Sequence, residues 1–136
     1  MRRLWFSRFL IILVTAWNLQ AALAFFIWPQ AYAPSFELGG APGFAAVRGI
    51  AVLFVMWNVP YVLAAWHPTK HLASLKEAIA MQTIGVAGET AIFLSLYTQH
   101  ATLQHSILRF IWFDAAGLVA LCTAWYFAIQ SVNSAD

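Results

Sequence analysis

Four apolar runs, at residues 9–28, 44–66, 77–97 and 105–129, occupy most of this 136-residue chain and leave only short connections between them. A helix that crosses the hydrocarbon core of a bilayer needs about 20 predominantly apolar residues, and each run is that long. The chain is 62% hydrophobic and only 9% charged, with a mean hydropathy of +0.74. A water-soluble domain carries charge on about a quarter of its residues, so lipid must solvate most of this surface. The expectation is an all-α fold: a four-transmembrane-helix bundle forming a single integral membrane domain over residues 1–136, multi-pass in the cell (inner or plasma) membrane. Little chain is left for a soluble catalytic domain.

The flanks refine this. The first run follows "MRRLWFSR" and contains "AALA", a combination shared with cleavable signal peptides. It continues through "FFIW" to Pro29, which is spanning length, so an uncleaved signal anchor is expected. The next connection, "PQAYAPSFELGGAPG", holds three prolines and three glycines and reads as irregular punctuation. Arg2, Arg3 and Arg8 precede the first run, and Lys70 and Lys76 lie in the link between the second and third. The other two connections have no Lys or Arg. Basic residues stay on the cytoplasmic side, so both the N and C termini are expected there. Trp5 and Trp66 would then lie at the inner interface and Trp28 and Tyr97 at the outer one, where amphipathic rings are favoured.

The ionisable residues inside the runs are the candidate functional site. At a rise of about 1.5 Å per residue, Arg48 and Arg109 lie one turn inside the outer ends of their spans, and Glu89 and Asp114 roughly 12–14 Å down. The arginines are within side-chain reach above the acids, so a neutral buried charge layer of Arg48, Glu89, Arg109 and Asp114 is expected. An unanswered ion in hydrocarbon costs about 2.5–3.5 kcal/mol on insertion scales. Arg48 has a second escape, snorkelling to the headgroups. Arg109 and Asp114 are separated by about 140° around their helix, so they must face different neighbours: one the third span, the other the first.

A polar interior continues inward. Asn18 and Asn58 lie at matching depth and are expected to meet across antiparallel neighbours. Gln82 shares a face with Glu89, with Gly85 beside them, marking the interior stripe of the third span. Pro60 removes one backbone hydrogen bond from the second span, and Asn58 is a candidate to satisfy the freed carbonyl. Trp17, Trp57, Trp112 and Trp125 are too central for an interfacial belt and are expected to line or fill the interior. Such a ladder reads two ways: as polar contacts that specify helix pairing, or as a pocket or pathway, since intramembrane ionisable groups are often functional.

Other chemistry is excluded more simply. A net charge of +2 with no basic cluster beyond Arg2, Arg3 and Arg8 gives no nucleic-acid face. Cys122 is the only cysteine, so no intrachain disulfide or thiolate metal site is possible, and it reads as a small core filler. His67 and His71 flank Pro68 in a link, and His100 and His105 lie at the opposite end. No metal, haem or other cofactor is expected, and no catalytic residue is assigned.

The Pro- and Gly-rich first loop and the Arg48-Gly49 pair opening the second span resemble the DoxX-like group of small bacterial membrane proteins. That resemblance implies four short spans and, for some members, a role as accessory subunit beside an oxidoreductase or quinone-linked system. Small multidrug exporters share the size and span count but carry their essential acid in the first span, where this chain has Asn18. The expected role is a non-enzymatic accessory subunit or membrane component. Its partners would be the lipid bilayer and either further copies of itself or a larger membrane complex. The alternatives are a proton-coupled carrier of a small hydrophobic solute, with Glu89 or Asp114 titrating, and an intramembrane acid/base enzyme.

Overall fold

The computed structural model describes residues 2–96 and 99–133. Helix α1 spans Arg2–Ile27, the short α2 Pro29–Tyr32, α3 Gly40–Trp66, α4 Leu72–Ser95 and α5 Ala101–Asn133; a 3-10 turn at Ala33–Phe36 follows α2. Among the described residues there is no strand. The four long helices, of 26, 27, 24 and 33 residues, are each long and apolar enough to cross a membrane. The protein is a multi-pass membrane protein by that measure.

Proline sets two of the helix ends. A residue before proline is pushed out of the helical region. Trp28 (φ −121°, ψ 53°) precedes Pro29 and ends α1, and His67 (φ −151°, ψ 85°) precedes Pro68 and ends α3. The same residue type also starts helices, because its missing N–H is not needed in the first turn. Pro29 therefore opens α2 and Pro34 the 3-10 turn. The connection expected to be irregular is thus largely helical: its prolines sit in the first turns of the elements that follow and interrupt none of those. Pro60 lies inside α3, where it withdraws a partner from the Met56 carbonyl. Asn58 does not answer that carbonyl; its Nδ2 donates to Phe54 O at 2.7 Å.

The long helices form a ring in the order α1, α3, α4, α5, with α3 and α4 touching least. Neighbours run antiparallel. One end of the ring carries the start of α1, the 67–71 link and the end of α5. The other end carries the 28–39 connector and the link from α4 to α5. At the first end Ile11, Tyr61, Ala64, Leu75, Ala78, Leu121, Ala124 and Ala128 form the core. At the other, Phe25, Ala33, Val47 and Ala51 do so, with Tyr32, Phe36, Phe54 and Phe110 packed on them.

Alanine is prominent inside, and many large apolar side chains are outside. Leu94 is 77% exposed, Trp66 73% and Trp112 71%. In lipid the hydrophobic effect does not draw helices together, so small residues that permit close backbone approach occupy the contacts. Ser7 fits this pattern, fully buried with its Oγ donating to Ala124 O at 2.8 Å.

Two expectations are corrected here. Trp112 faces outward and lines nothing inside; Trp17 and Trp57 are partly exposed but each lines a cavity, and Trp125 packs on the core. Cys122 is exposed on α5 and fills no core gap. In both cases depth along the span was mistaken for burial, and rotation around the helix decides burial. Trp5, Trp66 and Trp28 are exposed near helix ends; Tyr97 lies outside the described residues.

Candidate functional site

The charge layer expected from depth alone does not assemble by ion pairing. Among the described residues the one acid–base contact within salt-bridge distance is His100 with Glu37. Arg48 turns to α1, its Nε donating to Phe26 O at 3.3 Å. Phe26 is in the last turn of α1, where carbonyls have no intrahelical donor. A cation there also meets the negative end of the helix dipole. Arg48 is therefore a C-terminal cap for α1, and no carboxylate is required. Arg109 donates through Nη2 to Ser106 Oγ at 3.3 Å, and Ser106 Oγ donates to Ser35 O at 2.6 Å. This chain fastens the start of α5 to the 3-10 turn.

The acids face a different interface. Asp114 projects from α5 onto Gly85 of α4, where an added Cβ would collide with its Oδ2. Gln82, one turn earlier on α4, donates through Nε2 to Asp114 Oδ1 at 2.9 Å and to the Asp114 carbonyl at 3.2 Å. Its own Oε1 accepts from the Tyr61 hydroxyl at 2.6 Å, and that hydroxyl also lies 3.1 Å from Ala78 O. Gln82 in turn lies against Gly117 of α5, where a Cβ would meet its Nε2 at 2.7 Å. The fit is reciprocal: each polar side chain lies over a glycine of the facing helix. Glu89 is half-buried one turn beyond Gly85, and its Oε2 is buried without a hydrogen-bond partner.

Asn18 and Asn58 meet as expected, Nδ2 to Oδ1 at 3.4 Å. Together with Tyr61, Gln82 and Asp114 they line a cavity of about 20 Å³. Polar side chains of all four long helices thus converge at one level of the bundle.

Beside this cluster lies a larger cavity of about 400 Å³. Its walls are α1 (Trp17, Gln20, Ala21, Ala24, Phe25), α3 (Phe54) and α5 (Arg109, Phe110, Phe113), and its roof is the connector through Tyr32, Ser35 and Phe36. The Trp17 and Phe113 rings, both in its lining, lie 5.4 Å apart. Phe54 and Phe113 line both cavities and stand between them. Of the lining residues Trp17, Gln20 and Arg109 are exposed. The mouth therefore lies between α1 and α5, on the flank of the bundle that faces lipid.

The sequence placed Arg109 at the right depth but did not indicate this cavity. The signal available was the aromatic series Phe25, Phe36, Phe54, Phe110 and Phe113, which only the packing of the connector brings together. The sequence reading also missed the pair joining the two connections at the roof end. Glu37, at φ 57°, closes the 3-10 turn. His100 Nδ1 lies 2.6 Å from its Oε2, and Leu103 N donates to its Oε1 at 3.4 Å. A carboxylate only accepts, so Nδ1 carries the proton. Leu103 is in the first turn of α5, where a negative charge is favoured. The His100 hydrogen bond, seconded by Leu103, holds the Glu37 carboxyl below its ordinary pKa. Among the described residues no group of metal-ligating side chains clusters.

Compared with family models, with curated proteins and with solved structures, the chain has no match.

Proposed function

We propose that this protein is a non-enzymatic membrane component that holds a small hydrophobic molecule taken from the lipid phase, acting beside a larger membrane partner. The observation that supports this reading is the cavity of about 400 Å³, lined by aromatic rings and open toward lipid between α1 and α5. Ligand sites are typically concave, mostly apolar and about 300–1,000 Å³ in volume, with a few placed polar groups. The accessory role follows the DoxX-like layout, and with it a bacterial cytoplasmic membrane. The basic residues Arg2, Arg3, Arg8, Lys70 and Lys76 all belong to one end of the ring, which supports both termini lying inside.

The test is purification from native membranes in mild detergent, followed by mass spectrometry of bound lipophilic molecules. Ala21→Trp fills the cavity from α1. The wild type should carry a species that Ala21→Trp lacks at equal folded yield; identical contents would end the reading. The same purification should retrieve a stoichiometric protein partner, and a lone species would remove the accessory role.

A proton-coupled carrier of a small hydrophobic solute is the second reading. It draws on the unpartnered Glu89 Oε2 near the Tyr61–Gln82–Asp114 chain. Flux in proteoliposomes should then collapse in Glu89→Gln, and unchanged flux discards it.

A further inference from the structure

Resting on the reading that the flank cavity takes a molecule from the bilayer, we infer that this molecule is an anionic amphiphile, its acidic head on Arg109 and Gln20 and its apolar tail among the phenyl rings behind them. Arg109 is the one charged residue among those lining the cavity. It makes no ion pair with an acid among the described residues. Its hydrogen bond goes to Ser106 Oγ, a neutral group whose own proton is committed to Ser35 O. A guanidinium has five N–H donors in a rigid fork, so most of them are free to take a ligand.

Depth makes the vacancy costly. Arg109 is eight residues from the start of α5 at Ala101, and Gln20 seven from the end of α1 at Ile27. Because α1 and α5 are antiparallel neighbours, both lie about 10–12 Å inside the same end of the bundle. Arg109 also lies one turn inside the apolar run 105–129, and an unanswered cation within such a run is unfavourable. Arg48 shows how this fold treats the same problem elsewhere, giving its charge to the α1 carbonyl end. No such acceptor is given to Arg109. A carboxylate or phosphomonoester would accept a bidentate pair from the guanidinium and a further bond from the Gln20 amide. The rings of Phe25, Phe54, Phe110 and Phe113 offer the tail an apolar bed but no hydrogen-bonding group. A head at the mouth and a tail inside is the orientation that suits both.

Trp17 at the mouth supplies the readout, since bromine on an acyl chain quenches indole fluorescence only on contact. The protein is reconstituted in phosphatidylcholine vesicles and titrated with a brominated fatty acid, a brominated lysophosphatidate and the brominated fatty-acid methyl ester. Subtracting the signal of Trp17→Phe isolates the cavity. Half-quenching by either acid, or both, should occur at a concentration at least about tenfold below that of the ester, and Arg109→Gln should erase that gap. The two acids separate a carboxylate from a phosphate head. Equal affinity for acids and ester in the wild type overturns the inference and leaves cavity binding intact. So does a gap that persists in Arg109→Gln. Quenching by none of the probes that depends on Trp17 overturns both.

Discussion

Gln82 and Asp114 join α4 to α5 by two hydrogen bonds from one amide, at 2.9 Å to the carboxylate and 3.2 Å to the backbone carbonyl. With Tyr61 donating to its oxygen at 2.6 Å, Gln82 has both amide donors and its carbonyl oxygen engaged inside the bundle. Replacing it by leucine leaves the half-buried Asp114 carboxyl without its amide donor and the Tyr61 hydroxyl with only the longer contact to Ala78 O. Leaving a buried polar group unpaired costs about 1–3 kcal/mol, more if it is charged. Gln82→Leu should therefore lower stability by about that amount in an SDS-unfolding titration, and Gln82→Leu with Asp114→Leu should cost less than the sum of the singles. Additive losses would show that the two side chains do not interact.

The glycines of α4 make a second prediction. A Cβ at Gly85 collides with the Asp114 carboxylate, whereas at Gly88 nothing lies within 4 Å. Overpacking costs about 1–3 kcal/mol, while an exposed helical Gly→Ala change gains about 0.5–1 kcal/mol. Gly85→Ala should destabilise and Gly88→Ala should not, in the same unfolding assay. Equal effects would mean that α4 and α5 pack differently.

Arg48 caps a helix and has no acid partner, which inverts the outcome expected of a buried ion pair. Losing a cation from a helix C-terminus costs about 0.3–1 kcal/mol. Arg48→Leu and Glu89→Gln should be additive, since residues without shared partners couple by less than about 0.5 kcal/mol. A double-mutant cycle on thermal unfolding checks this; coupling above that level would return Arg48 to the acids.

Glu37 gives a pH dependence with a definite sign. Its carboxyl is held below the ordinary value near 4.5 by His100 first and then by Leu103 N–H. A depressed native pKa stabilises the fold above the unfolded value and loses that contribution as pH falls through the native one. Wild type should exceed Glu37→Gln in melting temperature at pH 6, and the gap should close on acidification below about pH 4. A gap unchanged from pH 6 to pH 3 would show that the carboxylate is not the cause.

Several contacts inside the bundle were legible before folding. The Asn18–Asn58 meeting followed from equal depth on antiparallel neighbours. The Gln82–Gly85 stripe followed from helical periodicity. The divergence of Arg109 and Asp114, one toward α1 and the other toward α4, followed from their angular separation. What failed was pairing by charge. Depth placed the arginines above the acids, but rotation sent Arg48 to a carbonyl and Arg109 to the cavity. The Glu37–His100 contact spans 63 residues between two connections, and nothing local marks it.

Chain composition and run length were enough to identify four helices long and apolar enough to cross a membrane. That depends on apolarity and rise per residue, which add along the chain and need no partner. The prolines likewise dictated where α1 and α3 stop, because their effect is confined to the adjacent backbone. Partner choice is different in kind. A guanidinium is satisfied equally by a carboxylate, a helix-end carbonyl, a hydroxyl or a ligand. Which of these it meets depends on rotation about each helix and on how residues 28–39 fold over the bundle end, and those are properties of the packed molecule.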